Sequence, residues 1–103
     1  MSIMPENRYV ISVKARSDIK SIAKYTIKEF GISQSLKYAK GLKDILGELA
    51  NNPDMGRRYV AVKNQMLLRY RYKSHIVFYY IDTKGIFIVR ILGGKMDFPK
   101  HLK

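Results

Sequence analysis

Apolar residues alternate with polar ones near the start of the chain and then recur every three or four positions. The alternating segment is rich in β-branched residues and predicts a first strand over residues 9–13. The later spacing predicts an amphipathic helix with Ser17 and Asp18 as its N-cap. Its apolar stripe consists of Ile19, Ile22, Ala23, Ile27 and Phe30. We expect the helix to end at Gly31, because glycine readily adopts the left-handed conformation found just after helices.

A second helix is predicted directly after this glycine. Ser33 can cap it, and Pro53 ends it because the residue before a proline is pushed out of helical geometry. Its apolar stripe consists of Leu36, Ala39, Leu42, Ile45, Leu46 and Leu49. Gly41 and Gly47 lie inside this helix, where each costs up to about 1 kcal/mol relative to alanine. Close packing between the two helices would compensate for that cost.

The second half of the chain changes to a period of two, which predicts strands. Residues 59–62 form a weak candidate, and residues 66–72 form a better one, with leucine and arginine on one side and leucine and tyrosine on the other. Lys73 and Ser74 have the length of a tight hairpin turn. The next two strands, residues 76–81 and 86–92, are apolar on both faces, which is typical of the middle of a sheet.

These elements predict one α+β domain over residues 1–103, with an ordered core at about residues 8–98. The order is an N-terminal strand, a two-helix hairpin and then three to four antiparallel strands. We expect the strands to form an antiparallel sheet that packs on the helices. Arg90 interrupts the last strand on the side that alternation assigns to Ile86, Ile88 and Leu92. The tail around His101 is rich in proline and lysine, and we expect it to be mobile.

Positive charge is the most informative feature of the composition. Lysine and arginine total 20 against 8 acidic residues, which gives a net charge of +12. Residues 51–103 hold 11 basic and 3 acidic side chains, so most of the excess lies in the second half. Self-repulsion of this size in a small domain indicates a negatively charged partner, either a nucleic acid or an acidic protein. A solvated basic surface without a specific role is the alternative.

Other classes of function have little support in the sequence. Cysteine is absent, and His75 and His101 are far apart among few acids, so we expect no metal site and no cofactor. Apolar runs fall short of the roughly 20 residues that span a bilayer, and the first six residues do not resemble a signal peptide. We therefore expect a cytoplasmic protein that does not associate with membranes.

Four short strings, in this order, resemble the RelE/ParE toxin superfamily over roughly residues 9 to 98. The first is Tyr25-Thr26 followed by Phe30-Gly31, and the second runs from Asn52 to Arg57. The third is Ser74-His75-Ile76-Val77-Phe78-Tyr79, and the fourth is Val89-Arg90-Ile91-Leu92 with Met96-Asp97 behind it. The chain is most similar to the ParE-like branch, the plasmid stabilisation toxins.

This resemblance implies the toxin of a type II toxin–antitoxin pair. Such a toxin is neutralised by a cognate antitoxin that wraps a flexible acidic segment around it, so a toxin–antitoxin hetero-oligomer is expected. The charge pattern agrees with such a partner. The residues expected to contact the antitoxin are Leu36, Tyr38, Leu42, Arg57, Arg69 and Arg71. For the residues of the helical hairpin, burial in the toxin's own core is the alternative.

Two activities occur in the superfamily, and one of them is ribosome-dependent cleavage of mRNA. An endoribonuclease of this kind needs cations around the phosphate together with a general acid and a general base. His75, Arg57 and Arg90 are the candidate catalytic residues. A convincing proton-transfer pair is missing from the sequence, because acids are sparse and the tail contains no tyrosine. His75 also fits a structural role beside the predicted turn.

The ParE-like branch instead implies inhibition of DNA gyrase by binding, without catalysis. The residues expected to contact this target are Arg69, Arg71, Arg90, Lys95, Met96 and Phe98. Arg90 has a second interpretation, an ion pair with Asp97 or Asp54. Gly93 and Gly94 depart from many relatives, which carry a histidine beside leucine there. A decayed toxin, retained only for binding its partner, is the third hypothesis.

Overall fold

The computed structural model describes residues 8–83 and 85–102 and places their strands in one five-stranded sheet. The strands are β1 (Arg8–Ile11), β2 (Arg57–Val62), β3 (Gln65–Tyr72), β4 (His75–Asp82) and β5 (Gly85–Gly93), in the spatial order β1-β5-β4-β3-β2. The helices are α1 (Val13–Asn51) and α2 (Phe98–Leu102), with a 3-10 turn at Pro53–Met55. The first seven residues, on which the expectation of no signal peptide rests, and Lys84 of the predicted turn 82–85 lie outside the described residues.

Four strands pair as the sequence predicts, but the first one pairs differently. β2, β3, β4 and β5 form antiparallel neighbours, with β4 and β5 in the interior of the sheet. β1 runs parallel to β5, with Arg8 opposite Gly85 and Ile11 opposite Ile88. Parallel neighbours need a long crossover connection, and here α1 and three strands provide it. The sheet is therefore mixed, and the prediction of a purely antiparallel sheet is wrong for β1.

The helical hairpin is confirmed, although its two arms form one nearly continuous element. Gly31 is the single non-helical position in α1, with φ 86° and ψ 167°. The Ser35 hydroxyl lies 3.4 Å from the Ala23 carbonyl oxygen and 2.9 Å from the Thr26 hydroxyl. A straight helix would separate residues 23 and 35 by about 18 Å. The chain therefore reverses at Gly31, between an N-terminal arm (residues 13–30) and a C-terminal arm (residues 32–51).

The helix begins earlier than predicted, at Ser12 instead of Ser17. The Ser12 hydroxyl accepts a hydrogen bond from the Ala15 backbone nitrogen at 2.9 Å, which is the N-cap interaction. The same hydroxyl donates to the Val89 carbonyl at 2.7 Å, so it also ties the helix to β5. The prediction of Ser17 and Asp18 as the N-cap is therefore wrong. Residues 13–16 lack the helical spacing of apolar residues, so the sequence pattern does not reveal the first turn. In the structure the helix starts directly after β1.

Side chains pack on both faces of the sheet. The face under α1 carries the larger cluster, and the alternation in β3 places Leu68 and Tyr72 there. Leu67, Ile76, Phe78, Leu92 and Leu102 form a second cluster on the opposite face. α2 covers part of this second face, and Leu102 is only 6% exposed. The expectation of a mobile tail is therefore wrong, because the last described turn packs on the sheet.

A β-bulge in β5 changes which face its charged residue occupies. Phe78 pairs with Arg90 while Tyr79 pairs with Ile88, so two residues of β5 lie opposite one step of β4. Ile88 consequently belongs to the cluster under α1, whereas Leu92 belongs to the second face together with Arg90. Simple alternation placed Ile86, Ile88 and Leu92 on the same side as Arg90. That prediction is wrong for Ile88, and equally for Ile86, because a bulge resets the period of two.

Two tyrosines and a histidine attach the C-terminal arm to the sheet. The Tyr72 hydroxyl donates to the Tyr38 carbonyl at 3.2 Å, and the Tyr38 hydroxyl hydrogen-bonds to Nδ1 of His75. A Cβ at position 41 would collide with the Tyr72 hydroxyl, so the absent side chain of Gly41 is what lets that ring approach. Close packing thus accounts for Gly41, but the contact is with the sheet. At Gly47 no neighbouring atom lies within contact distance.

Burial shifts the pKa values of this pair in opposite directions. Desolvation raises the pKa of the Tyr38 hydroxyl and lowers the pKa of the His75 imidazole, against a smaller opposing influence of Asp18 on His75. Both shifts favour a neutral tyrosine that donates to a neutral histidine. The folded state therefore stabilises the uncharged form of His75.

The two helix glycines should respond oppositely to alanine. Gly47→Ala adds helix propensity into open space, so we expect the free energy of unfolding to rise by up to about 1 kcal/mol. Gly41→Ala gains the same propensity but forces the Tyr72 ring aside, at a cost of about 1–3 kcal/mol, so we expect a net decrease. Urea denaturation of both variants measures this difference. Stabilisation by both substitutions would contradict the packing role of Gly41.

Stability should depend on pH through His75. Because folding lowers its pKa, the stabilisation is complete above the unfolded pKa of about 6.5 and is lost as the pH falls through the folded pKa. We expect His75→Gln to flatten the decrease in the free energy of unfolding between about pH 7.5 and about pH 5. Urea denaturation across this range checks it. An unchanged pH profile in the variant would contradict a neutral, half-buried His75.

Candidate functional site

Three arginines converge on the face of the sheet opposite α1. Arg57 in β2 lies directly opposite Arg69 in β3, so their side chains share a face. Arg71 follows two residues after Arg69 and therefore points the same way. Together they line a cleft of about 430 Å³, whose other lining residues are Met55, Tyr70 and Ile76. We call this feature the arginine cleft.

The positive charge in the arginine cleft is not neutralised by nearby acids. Among residues 8–83 and 85–102, ion pairs occur only between Lys40 and Asp44 and between Arg90 and Asp18. Like charges directly opposite each other weaken an antiparallel pair, so Arg57 and Arg69 oppose pairing of β2 with β3. Guanidinium groups bind carboxylates and phosphates through paired hydrogen bonds. The cleft is thus chemically suited to an anionic partner.

Neighbouring groups hold two of these guanidinium groups in place. The Arg69 guanidinium carbon lies 5.5 Å from the centre of the Tyr59 ring, a cation–π arrangement. Arg71 donates to the Lys73 carbonyl at 3.1 Å. A Cβ at position 94 would lie 3.2 Å from the Arg71 guanidinium, so Gly94 leaves room for this side chain. Gly94, one of the two glycines that depart from many relatives, therefore lies beside an arginine of the arginine cleft.

Arg90 does not join the arginine cleft, because its guanidinium is bound inside the molecule. It forms a bidentate pair with Asp18, at 2.7 and 2.8 Å, and donates to the His101 carbonyl at 3.1 Å. Both side chains of the pair are mostly buried, at 15% and 12% exposure. The bond to Asp18 raises the Arg90 pKa above its ordinary value. The ion-pair interpretation is confirmed, but the proposed partners Asp97 and Asp54 are wrong.

The remaining residues predicted to contact a target are separated. Phe98 packs on Phe78, with ring centres 5.0 Å apart, and contributes to the second core cluster. Lys95 is exposed. Met96 is also exposed, and its sulfur accepts a hydrogen bond from the Gly93 backbone nitrogen. Of the six predicted target contacts, Arg69 and Arg71 line the arginine cleft, together with Arg57.

The hairpin residues predicted to contact an antitoxin have three different environments. Leu42 is 4% exposed and belongs to the protein's own core, which was the alternative interpretation. Tyr38 is half-buried in its contacts with the sheet. Leu36 is 67% exposed, so it remains available to a partner. Of these three hairpin residues, only Leu36 is largely exposed.

Other apolar side chains of the hairpin are exposed, although the sequence pattern assigned some of them to the core. Ile27 and Phe30 were placed on the buried stripe, but both are exposed, and Phe30 packs edge-on against the exposed Tyr25. Ile32, after the reversal, is exposed too. These side chains near the reversal at Gly31 are therefore not covered by the sheet. A helical spacing of apolar residues does not by itself show which part of a helix packs on the sheet.

The three candidate catalytic residues are not brought together. His75 lies on the face of the sheet that packs on α1, where it hydrogen-bonds to Tyr38. Arg57 lies on the opposite face, and Arg90 is bound to Asp18. The lining of the arginine cleft contains no carboxylate and no imidazole. In the described part of the chain there is no cluster of three or more metal-ligating side chains. The same residues include no helix long and apolar enough to span a membrane.

Comparisons with known proteins agree with the resemblance. The family model of the ParE toxin of the type II toxin–antitoxin system parDE matches residues 9–98. Toxin ParE1 of Caulobacter vibrioides is 29% identical over 99 residues, which cover 91% of this chain and 96% of that protein. A chain in the solved structure of a chromosomal ParDE toxin–antitoxin system from P. aeruginosa has the same fold. It superposes with a TM-score of 0.69 at 19% identity, covering 85% of this chain and 96% of that one. The chain belongs to the ParE toxin family of type II toxin–antitoxin systems.

Proposed function

We propose that this toxin inhibits DNA gyrase by binding, without catalysing a reaction, and that the arginine cleft is a principal contact. The observation that carries this proposal is the convergence of Arg57, Arg69 and Arg71 in a cleft whose described lining contains no acid and whose arginines form no ion pair with a described residue. A stable fold gains nothing from such a group, since like charges in one cleft repel. An anionic partner explains its presence.

Binding fits this cleft better than bond chemistry does. Cleavage of RNA requires groups that accept and donate protons within hydrogen-bond reach of the reacting atoms. The arginine cleft supplies cations only, and His75 hydrogen-bonds to Tyr38 on the other face of the sheet. These positions favour inhibition of gyrase over ribosome-dependent cleavage of mRNA.

Membership of the family implies a cognate antitoxin, and we propose that its acidic flexible segment covers the arginine cleft and the exposed residue Leu36. An acidic segment gains long-range attraction from the excess of basic residues in the second half of the chain. Antitoxin and target would then compete for the same three arginines. This competition gives neutralisation a simple physical basis within a toxin–antitoxin hetero-oligomer.

Reversing the charge of the cleft should weaken inhibition of gyrase. We expect the purified toxin to inhibit DNA supercoiling, and Arg69→Glu and Arg71→Glu each to raise the concentration needed by about tenfold or more, as loss of a charged contact of 1.4 kcal/mol predicts. Lys28→Glu, on the exposed surface of the helical hairpin, makes the same change in net charge and serves as the control. Thermal unfolding verifies that the variants fold.

Three outcomes would contradict the proposal. Full inhibition by both cleft variants would show that the three arginines are not the contact surface. Cleavage of translated mRNA by the purified toxin, without any effect on supercoiling, would establish the endoribonuclease instead. Lack of both activities, and of growth arrest on expression without antitoxin, would favour a decayed toxin that only binds its partner.

A further inference from the structure

The reversal of the helical hairpin projects past one end of the sheet. The N-terminal arm runs along β5, because Asp18 accepts a hydrogen bond from the Ile91 backbone nitrogen, and Tyr25 lines a concavity together with Gly93, the last residue of the strand. The turns of the helix after Tyr25 therefore extend beyond the sheet. Every residue from 27 to 34 is exposed. We call residues 27–34 the hairpin tip.

The hairpin tip presents large apolar side chains to solvent. Phe30 is 63% exposed and Ile32 is 66% exposed, so the protein's own core covers neither of them. The Phe30 ring packs edge-on against the exposed Tyr25, with ring centres 6.4 Å apart. Clustered apolar side chains on a surface mark a site that another molecule covers.

Buried hydrogen bonds hold the hairpin tip in one conformation. The hydroxyl groups of Thr26 and Ser35 lie 2.9 Å apart and join the two arms directly below the tip. Both side chains are buried, and the Thr26 hydroxyl also donates to the Ile22 carbonyl at 2.8 Å. Gly31 supplies the positive φ that the reversal requires. A rigid apolar projection of this kind loses little conformational freedom when it binds.

Apolar surface continues from the hairpin tip to the end of β5. The concavity that contains Tyr25 has a volume of about 360 Å³, and Met96 also lines it. Tyr25 and Met96 are both exposed, whereas Ile22 and Leu92 in the same lining are buried. Phe30, Tyr25 and Met96 therefore follow one another along this edge of the molecule.

The arginine cleft lies at the same end of the sheet. Arg71 is next to the last residue of β3 and donates to the carbonyl of Lys73, in the turn that leads to β4. His75 begins β4 and pairs with Gly93, so this turn lies beside the end of β5. Lys73 and Lys95 are exposed there. A protein that meets this end of the sheet therefore reaches the arginine cleft, two lysines and the apolar edge together.

We propose that the hairpin tip is a second contact with gyrase, in which Phe30 and Ile32 enter an apolar pocket of the gyrase protein. Acidic residues beside that pocket would meet Lys73 and Lys95. This inference rests on the proposed function and extends the contact from the arginine cleft to an apolar surface. Lys28 and Phe30 are two positions apart and point to opposite sides of the helix, so Lys28 stays outside this contact.

The charges of the molecule disfavour other occupants of the hairpin tip. Glu29 is exposed and directly precedes Phe30, so its carboxylate would repel the phosphates of DNA and of anionic lipids. A second copy of this chain would bring another net charge of +12 to the lysines and arginines at this end of the sheet. A protein surface with an apolar pocket and acidic residues nearby has neither disadvantage.

Shortening the apolar side chains of the hairpin tip tests the contact. We expect Phe30→Ser and Ile32→Ser each to raise the concentration of toxin that inhibits supercoiling by gyrase by about tenfold or more, as loss of a central apolar contact predicts. Ile81→Ser is the matched control, because Ile81 is also exposed but lies near the end of β4 that is remote from His75. It should leave inhibition unchanged. Thermal unfolding verifies that all three variants fold.

Photocrosslinking identifies what the hairpin tip touches. A benzophenone analogue of phenylalanine replaces Phe30 in the full-length toxin, and the same analogue replaces Ile81 in a control. Each protein is irradiated with gyrase and a DNA duplex. We expect the analogue at position 30 to crosslink to a gyrase subunit, and the one at position 81 to give no such product.

The two experiments separate this inference from the proposed function. Unchanged inhibition by both tip variants, or crosslinking of position 30 to DNA or to a second toxin chain instead of gyrase, would overturn the second contact. The proposed function would still stand if the wild-type toxin inhibits supercoiling and the variants of the arginine cleft do not. A wild-type toxin without any effect on supercoiling would refute the proposed function and this inference with it.

Discussion

The carboxylate of Asp18 joins the three parts of this structure. Its oxygens accept from Nε and from a terminal nitrogen of Arg90, and one of them also accepts from the Ile91 backbone nitrogen at 2.9 Å. β1 ends opposite Ile88, so the edge of β5 that faces β1 has no strand neighbour beyond that point, and Asp18 occupies this open edge. Arg90 in turn holds the His101 carbonyl of α2. One side chain thus fastens the N-terminal arm, the sheet and the C-terminal helix.

The burial of Asp18 with Arg90 helps to explain why the surface carries so few negative charges. The chain has only 8 acidic residues against 20 basic ones, and Asp18 is taken up by Arg90. A buried pair of this kind is costly to break, about 3–5 kcal/mol when one partner is removed, so neither residue is available to a ligand. The arginine cleft lies elsewhere on the sheet and has no acid of its own among the residues described. The arginine that stabilises the fold is therefore not one of the three that we propose to bind a partner.

Much of the fold follows from the sequence, because local rules decide it. Gly31 was predicted to end the first helix, and the chain reverses there with a positive φ. The alternation in β3 correctly separated Leu68, Tyr70 and Tyr72 from the side that carries Arg69 and Arg71. These are properties of single residues or of a regular period, so they do not depend on distant parts of the chain.

The features that the sequence did not reveal depend on contacts between distant residues. The pairing of Arg90 with Asp18 links positions 72 residues apart and requires both the bulge in β5 and the early helix start at Ser12. The partnership of Arg57 with Arg69 follows from the register of β2, which contains an irregularity of its own. The concavity lined by Val62, Leu67, Tyr80 and Phe87 combines residues of four strands with the start of α1. The periodicity of a single segment cannot predict any of these long-range contacts.

We propose that the arginine cleft opposes folding and is retained for a partner. A double-mutant cycle of Arg57→Gln and Arg69→Gln, measured as the free energy of unfolding in urea at low salt, tests whether the two arginines repel each other. We expect a repulsive coupling of up to about 1 kcal/mol between them that shrinks as salt is added. An attractive coupling, or a loss of more than about 1 kcal/mol on replacing either arginine alone, would show instead that the cleft stabilises the fold.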